Sequence, residues 1–198
     1  SKTLKNKIKG VLYSQYVDQF IGVSDYTRKH ILKDYGSFLD KKTKVIYNGI
    51  DTSVFVKRSQ ENKNKFVVCS HLRHSKGIQD LIKAVAVLEE DIKNQIQIDV
   101  YGEGPYEKEL LEMNKGNNLE GIIHFKGGSS QLNKLLSNYR YLLQPTYMEC
   151  FSLSILESLA ANVPVITTPV GGNLEIVQQG QNGFIFGTNS IGIEYDGQ

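Results

Sequence analysis

Two cysteines, Cys69 and Cys150, are all the chain contains. They are too few for a disulfide framework or a zinc site, and both are expected as free thiols in a reducing compartment. Charge of one sign is equally scarce: a net charge of +2 over 198 residues names no partner class. No apolar run approaches the roughly 18 residues of a membrane span. No apolar h-region follows Lys2, Lys5, Lys7 and Lys9, as a secretory signal would require. The expectation is a cytoplasmic protein. The lysines at 2 to 9 and the trio Lys41, Lys42 and Lys44 read first as solvated charge, and second as a peripheral contact at the inner face of an anionic membrane. The four histidines offer one close pair, His71 and His74, with no further Cys or His at ligand spacing, so no metal is expected. Internal repeats and low-complexity tracts are absent as well.

What is present is the composition of an ordinary globular protein, 40% hydrophobic and 22% charged, long enough for one well-buried domain with an appended fragment. Short apolar runs predict strands at 20 to 23, 44 to 47, 66 to 70, 96 to 101, 122 to 125, 141 to 144, 163 to 167 and 183 to 186. Amphipathic stretches predict helices at 78 to 88, 106 to 113 and 132 to 137, and a more buried one at 153 to 161. Ile78, Leu81, Ile82, Val85 and Leu88 share one stripe. Alternation of this kind predicts an α/β fold with a parallel sheet flanked by helices, regular from Phe66 onward. The polar segment 57 to 65 reads as a linker or surface loop.

The segment Glu149-Cys-Phe-Ser-Leu-Ser-Ile-Leu-Glu157 carries the chemistry. Helical throughout, it would set the two glutamates roughly 12 Å apart along the axis, and an uncoiled first turn would lengthen that. A retaining glycosidase holds its carboxyl groups about 5 Å apart, so this pair is not a hydrolase dyad. Its span suits a hexose joined through a diphosphate to a ribose, with a carboxylate accepting from hydroxyls at each end. The backbone N–H groups of the helix's first turn would face the phosphates. Spacing alone favours the plain alternative, an amphipathic helix with two solvated glutamates.

The surrounding residues change that balance. The run from Gln144 to Gly187, with VSDYTRKHI at 23 to 31, VIYNGIDTSVF at 45 to 55, LRHSKG at 72 to 77 and YGEGP at 101 to 105, resembles family 4 retaining glycosyltransferases of the group 1 type. The resemblance implies the Rossmann-like, donor-binding half of a two-domain GT-B architecture. Residues 66–187 would be the nucleotide-sugar domain, 1–56 the closing piece of an N-terminal acceptor domain, and 188–198 an atypical tail. It implies hexose transfer from a nucleoside diphosphate sugar to an acceptor of a surface polysaccharide or glycolipid, as in bacterial members, with retention. The donor is a substrate, and no cofactor is expected.

By the same resemblance, Glu149 faces the transferred sugar, and Lys76 with Arg73 neutralises the diphosphate. His71 stands where the family usually keeps an arginine. Cys150, Phe151, Ser152 and Leu153 would line the sugar and phosphates, mainly through backbone N–H groups. Cys150 and Ser152 replace common glycines, and Glu157 would hold the ribose. Main-chain groups at 125 to 127 would hold the base, and Gly171 and Gly172 would turn toward the acceptor. The absence of any Asp-x-Asp agrees with a metal-independent site. The competing class is a non-catalytic nucleotide-binding partner subunit or an inactive fragment, with an epimerase of the same architecture behind it.

Overall fold

The computed structural model describes residues 4–59 and 64–186; the tail at 188–198 and the middle of the polar segment lie outside them. Among the described residues the strands are β1 (Phe20–Gly22), β2 (Thr43–Val45), β3 (Lys65–Cys69), β4 (Gln97–Tyr101), β5 (Ile123–Gly127), β6 (Tyr141–Gln144), β7 (Val165–Thr167) and β8 (Gly183–Ile185). All eight expected strands are present, β6 at its expected bounds and the other seven shifted by one or two residues at an end. The helices are α1 (Leu4–Ser14), α2 (Asp25–Tyr35), α3 (Ile78–Ala86), α4 (Glu90–Lys93), α5 (Glu107–Gly116), α6 (Leu132–Leu135), α7 (Leu153–Ala160) and α8 (Asn173–Ile176).

β3 to β8 form one parallel sheet in the order β5-β4-β3-β6-β7-β8. The chain walks outward from β3 through β4 to β5, then returns to lay β6 on the other side of β3. This is the Rossmann order, and its reversal point lies between β3 and β6, where the loops after the two strands part to leave a crevice. Period-two alternation divides the core. Val68, Ile98, Val100 and Ile123 pack with Ile78, Ile82, Val85 and Leu110 on one face. Val67, Cys69, Leu142 and Val165 pack with Leu136, Ile155 and Val177 on the other.

Two boundaries depart from the expected ones for physical reasons. Strand β7 starts at Val165 rather than Val163, because Pro164 has no N–H for the ladder and the Val163 N–H instead closes α7 on the Ser158 carbonyl, 2.9 Å away. Helix α3 ends at Ala86 because Val87, 84% exposed, has nothing to pack on.

Residues 4–56 carry β1 and β2 as a separate two-stranded parallel sheet with α2 against it. This fragment docks on the six-stranded domain. The Glu175 carboxylate, at the start of α8, accepts from the backbone N–H groups of Asp25 and Tyr26, both at 2.9 Å, and so caps α2 where its dipole is positive. Tyr47 donates its hydroxyl to the same carboxylate at 2.9 Å, and its ring lies 5.1 Å from that of Phe151. Further along, the Val56 N–H bonds the Asn133 carbonyl and the Arg58 N–H the Ala161 carbonyl, at 2.9 and 2.8 Å.

Candidate functional site

Two loops meet at the reversal point. The first follows β3 and folds into a single turn of 3-10 helix, His74–Lys76, before α3. Gly77 sits between turn and helix at φ +70, with its Cα pressed against the Pro145 carbonyl. Any side chain there would be both strained and blocked. The second loop follows β6 and runs to α7, which Ser152 caps by accepting from the Ile155 N–H. Helix α7 begins at Leu153, so Glu149 lies on irregular backbone. The expected stretch between the two glutamates is therefore helical only in its second half.

The loops bring Lys76 and Glu149 together across 73 positions of sequence, ammonium to carboxylate at 2.8 Å. Both side chains are mostly buried, 23% and 17% exposed. The Glu149 backbone is fixed from behind by Gly171, whose φ of +57 lets it lie against the Glu149 carbonyl. The Gly172 N–H donates to the Cys150 carbonyl at 3.1 Å. Below the loop, a buried network joins Gln144 to Ser152, Thr167 and Asn173.

The other expected residues are placed less uniformly. Arg73 is exposed at the mouth of its turn, and no ion pair joins it to Glu149 among the described residues. Cys150 is exposed. Phe151 and Ser152 are buried, and Leu153 is 47% exposed. Glu157 lies one helical segment deeper and lines a cleft of about 450 Å³ with Ser70, His71, Glu103, Ser129 and Ser154. The Lys76–Glu149 pair stands outside that lining.

Burial raises the Glu157 carboxyl above the ordinary glutamate range. The neighbouring Cys69 thiol is pushed up to about 12, first by burial and then by the charge of Glu157, so it is inert and structural. Opposite Glu157, Glu103 accepts from the Gly128 N–H at 3.1 Å and ties the end of β4 to the end of β5. No group of three or more His, Cys, Asp or Glu poised for a metal occurs among the described residues. No helix among them is long and apolar enough to cross a membrane.

Three residues of consequence escape the sequence reading. Glu175 follows Gly172 by three positions, the only local hint that it belongs to the same loop system. Tyr147 and Glu103 carry no signal beyond lying near Glu149 and within YGEGP.

The glycosyl transferases group 1 family pattern matches residues 49–192, and the chain belongs to that family. Among curated proteins it is 28% identical over 156 residues to the N-acetyl-alpha-D-glucosaminyl L-malate synthase of Bacillus anthracis, covering 74% of this chain and 40% of that one. It is 25% identical over 181 residues to the GtfA subunit of the UDP-N-acetylglucosamine–peptide N-acetylglucosaminyltransferase of Streptococcus pneumoniae, covering 90% and 36%. Among solved structures, Anabaena Alr3699/HepE in complex with UDP and glucose superposes with a TM-score of 0.81 at 24% identity, over 92% of this chain and 53% of that one. That last likeness is one of fold. The chain spans about half, or less, of the length of these relatives.

Proposed function

We propose that this member of the glycosyl transferases group 1 family is the donor-binding half of a GT-B hexosyltransferase that takes its sugar from a nucleoside diphosphate carrier, with retention. The observation that carries the reading is the Lys76–Glu149 pair at the reversal point of the sheet, with Glu157 leading away from it into the cleft. A nucleoside diphosphate sugar carries negative charge in its middle and hydroxyls at both ends. Lys76, beside the N-terminus of α3, answers the diphosphate. Glu149 accepts from hydroxyls of the hexose and stabilises positive charge growing at the anomeric carbon. Glu157 accepts from the ribose at the other end. The leaving phosphate takes the acceptor's proton on the face it departs from, so no second carboxylate enters the reaction.

The relatives' names support a choice of donor to test. The Anabaena structure holds UDP and glucose, and the pneumococcal relative is named for UDP-N-acetylglucosamine. A uridine diphosphate hexose or N-acetylhexosamine is therefore the first donor to try. The acceptor, a polysaccharide, a glycolipid or another lipid-linked sugar, would be read by residues beyond this chain, at the cytoplasmic face of a membrane. Calorimetric titration with UDP, GDP and ADP tests the reading: one nucleotide binds selectively, and Lys76→Ala and Glu157→Ala each abolish it. Equal indifference of the folded chain to all three would overturn it. A second reading, a partner subunit that binds nucleotide but acts only beside another chain, is favoured by the pneumococcal relative's own description as a subunit. Transfer restored by an added N-terminal domain, and lost with Glu149→Ala, decides for the enzyme.

A further inference from the structure

Beyond the Lys76–Glu149 pair and a bond from Thr146 Oγ1 to the Ser75 carbonyl at 3.2 Å, the two loops of the site are joined by the side chain of Tyr147. Tyr147 precedes Glu149 by two residues and reaches across the crevice to residues on both sides of Lys76. Its N–H donates to the Ser75 carbonyl at 2.9 Å. Its hydroxyl donates to Asp80 Oδ2 at 2.6 Å and accepts from Gln79 Nε2 at 2.8 Å. Its ring meets the edge of His74, with centroids 5.6 Å apart at 63°. Residues on both sides of Lys76 are thus bonded to one residue of the loop that carries Glu149.

The polarity of this cluster is determined. The Asp80 carboxylate can only accept, so the single hydroxyl proton of Tyr147 points to it. The Tyr147 oxygen must then accept, which turns the Gln79 amide so that its NH2 faces Tyr147 and the His74 carbonyl, 2.9 Å away. Gln79 is 3% exposed, and its Oε1 is left buried with no partner. An orphaned buried acceptor is costly and rare. Here it follows from an amide committed to holding the tyrosine, so the cluster is maintained against a local penalty. A residue kept only for packing would not require that.

We infer that Tyr147 is a positioning residue of the donor site: through Asp80 and Gln79 it sets the separation between the Lys76 ammonium and the Glu149 carboxylate. The inference rests on the proposed reading of that site. Lys76 ends a 3-10 turn that runs through Gly77 straight into α3, whereas Glu149 lies on irregular backbone four residues before α7. Loosening the lock therefore releases the sugar end and spares the phosphate end.

The test is Tyr147→Phe, which removes the hydroxyl and keeps the ring, with UDP, UDP-glucose and UDP-N-acetylglucosamine titrated into parent and variant chains. The UDP Kd stays within about twofold, while the Kd of the sugar nucleotide rises about tenfold, the size of one charge-assisted hydrogen bond. Asp80→Leu reproduces the effect, and Asp80→Asn, which still offers an acceptor, restores most of the affinity. Equal changes in all the Kd values, or none, would overturn the inference. A parent chain that binds none of these ligands would sink the donor reading instead. Amide exchange then decides separately for the lock: it speeds up at residues 146 to 149 in Tyr147→Phe if the lock exists, and is unchanged if it does not.

Discussion

The Lys76 ammonium and the Glu149 carboxylate occupy each other in the free protein, 2.8 Å apart and largely shielded from water. Each is the other's counter-ion until a ligand replaces it, and an ion pair with this degree of shielding is broken at a real though modest cost.

Glu149→Gln is accordingly expected to act in opposite directions on the two kinds of ligand. Sugar-free UDP should bind several-fold more tightly, because Lys76 no longer has to leave a carboxylate. Transfer should fall by about 10² or more as the charge facing the anomeric carbon is lost. Calorimetry and an activity assay with the acceptor half added would read both, and weaker UDP binding in the variant would refute the pairing as a competitor.

Glu157 gives a pH signature. Its carboxyl is raised in the folded chain by burial, so its contribution to stability is fully present below the ordinary glutamate value of 4.5 and is lost as pH rises through the folded value. Glu157→Gln should raise the melting temperature at neutral pH, with the gain shrinking on acidification, while nucleotide binding falls. A gain independent of pH would show that the carboxyl is not the cause.

The two thiols should separate cleanly. Cys150 is exposed, whereas Cys69 is buried and its thiol is pushed up to about 12. Maleimide under native conditions should add one adduct, at Cys150, and a second only after unfolding. Mass spectrometry of digested protein checks the position, and early labelling at Cys69 would contradict the described packing.

A buried carboxylate away from the site sets a stability prediction. Asp99 accepts from Tyr139 at 2.7 Å and Gln97 at 3.0 Å, with His124 at 3.3 Å and Lys126 at 3.7 Å. Burial works against its charge, yet these partners outweigh burial and hold its carboxyl below the usual range. Its stabilisation is therefore present above the ordinary aspartate value and lost as pH falls through the lowered one. Tyr139→Phe should cost about 1–3 kcal/mol in urea unfolding near neutral pH. A cost below about 0.5 kcal/mol would mean that the hydroxyl bond adds nothing net.

Glu175→Ala should free the N-terminal fragment, since it removes the cap of α2 and the partner of Tyr47 at once. Loss of a cap is worth about 1 kcal/mol, enough to speed amide exchange at Asp25 and Tyr26 several-fold while β3 to β8 keep their protection. Uniform acceleration would assign Glu175 to the core instead.

Much of this was legible in the residues. Strands such as β3 announce themselves because both faces are covered and their apolar runs are continuous, and α3 because its stripe repeats at helical spacing. Glu149, Lys76 and Glu157 stood out through motifs held in register. Pairing between Lys76 and Glu149 was not legible, because it depends on which loops the strand order brings together. Tyr147 is hidden for another reason: its partners are Gln79 and Asp80, polar residues on a helix whose stripe otherwise reads as plain amphipathicity. Nor does sequence distinguish Arg73, exposed at the mouth of its turn, from Lys76 three positions on.

The short segment from Gly171 to Glu175 touches both parts of the molecule. One end backs the carbonyls of Glu149 and Cys150, and the other grips the first turn of α2. Five residues leave little slack. A tilt of the N-terminal fragment against the six-stranded domain is therefore transmitted, almost as by a lever arm, to the backbone that carries the Glu149 carboxylate.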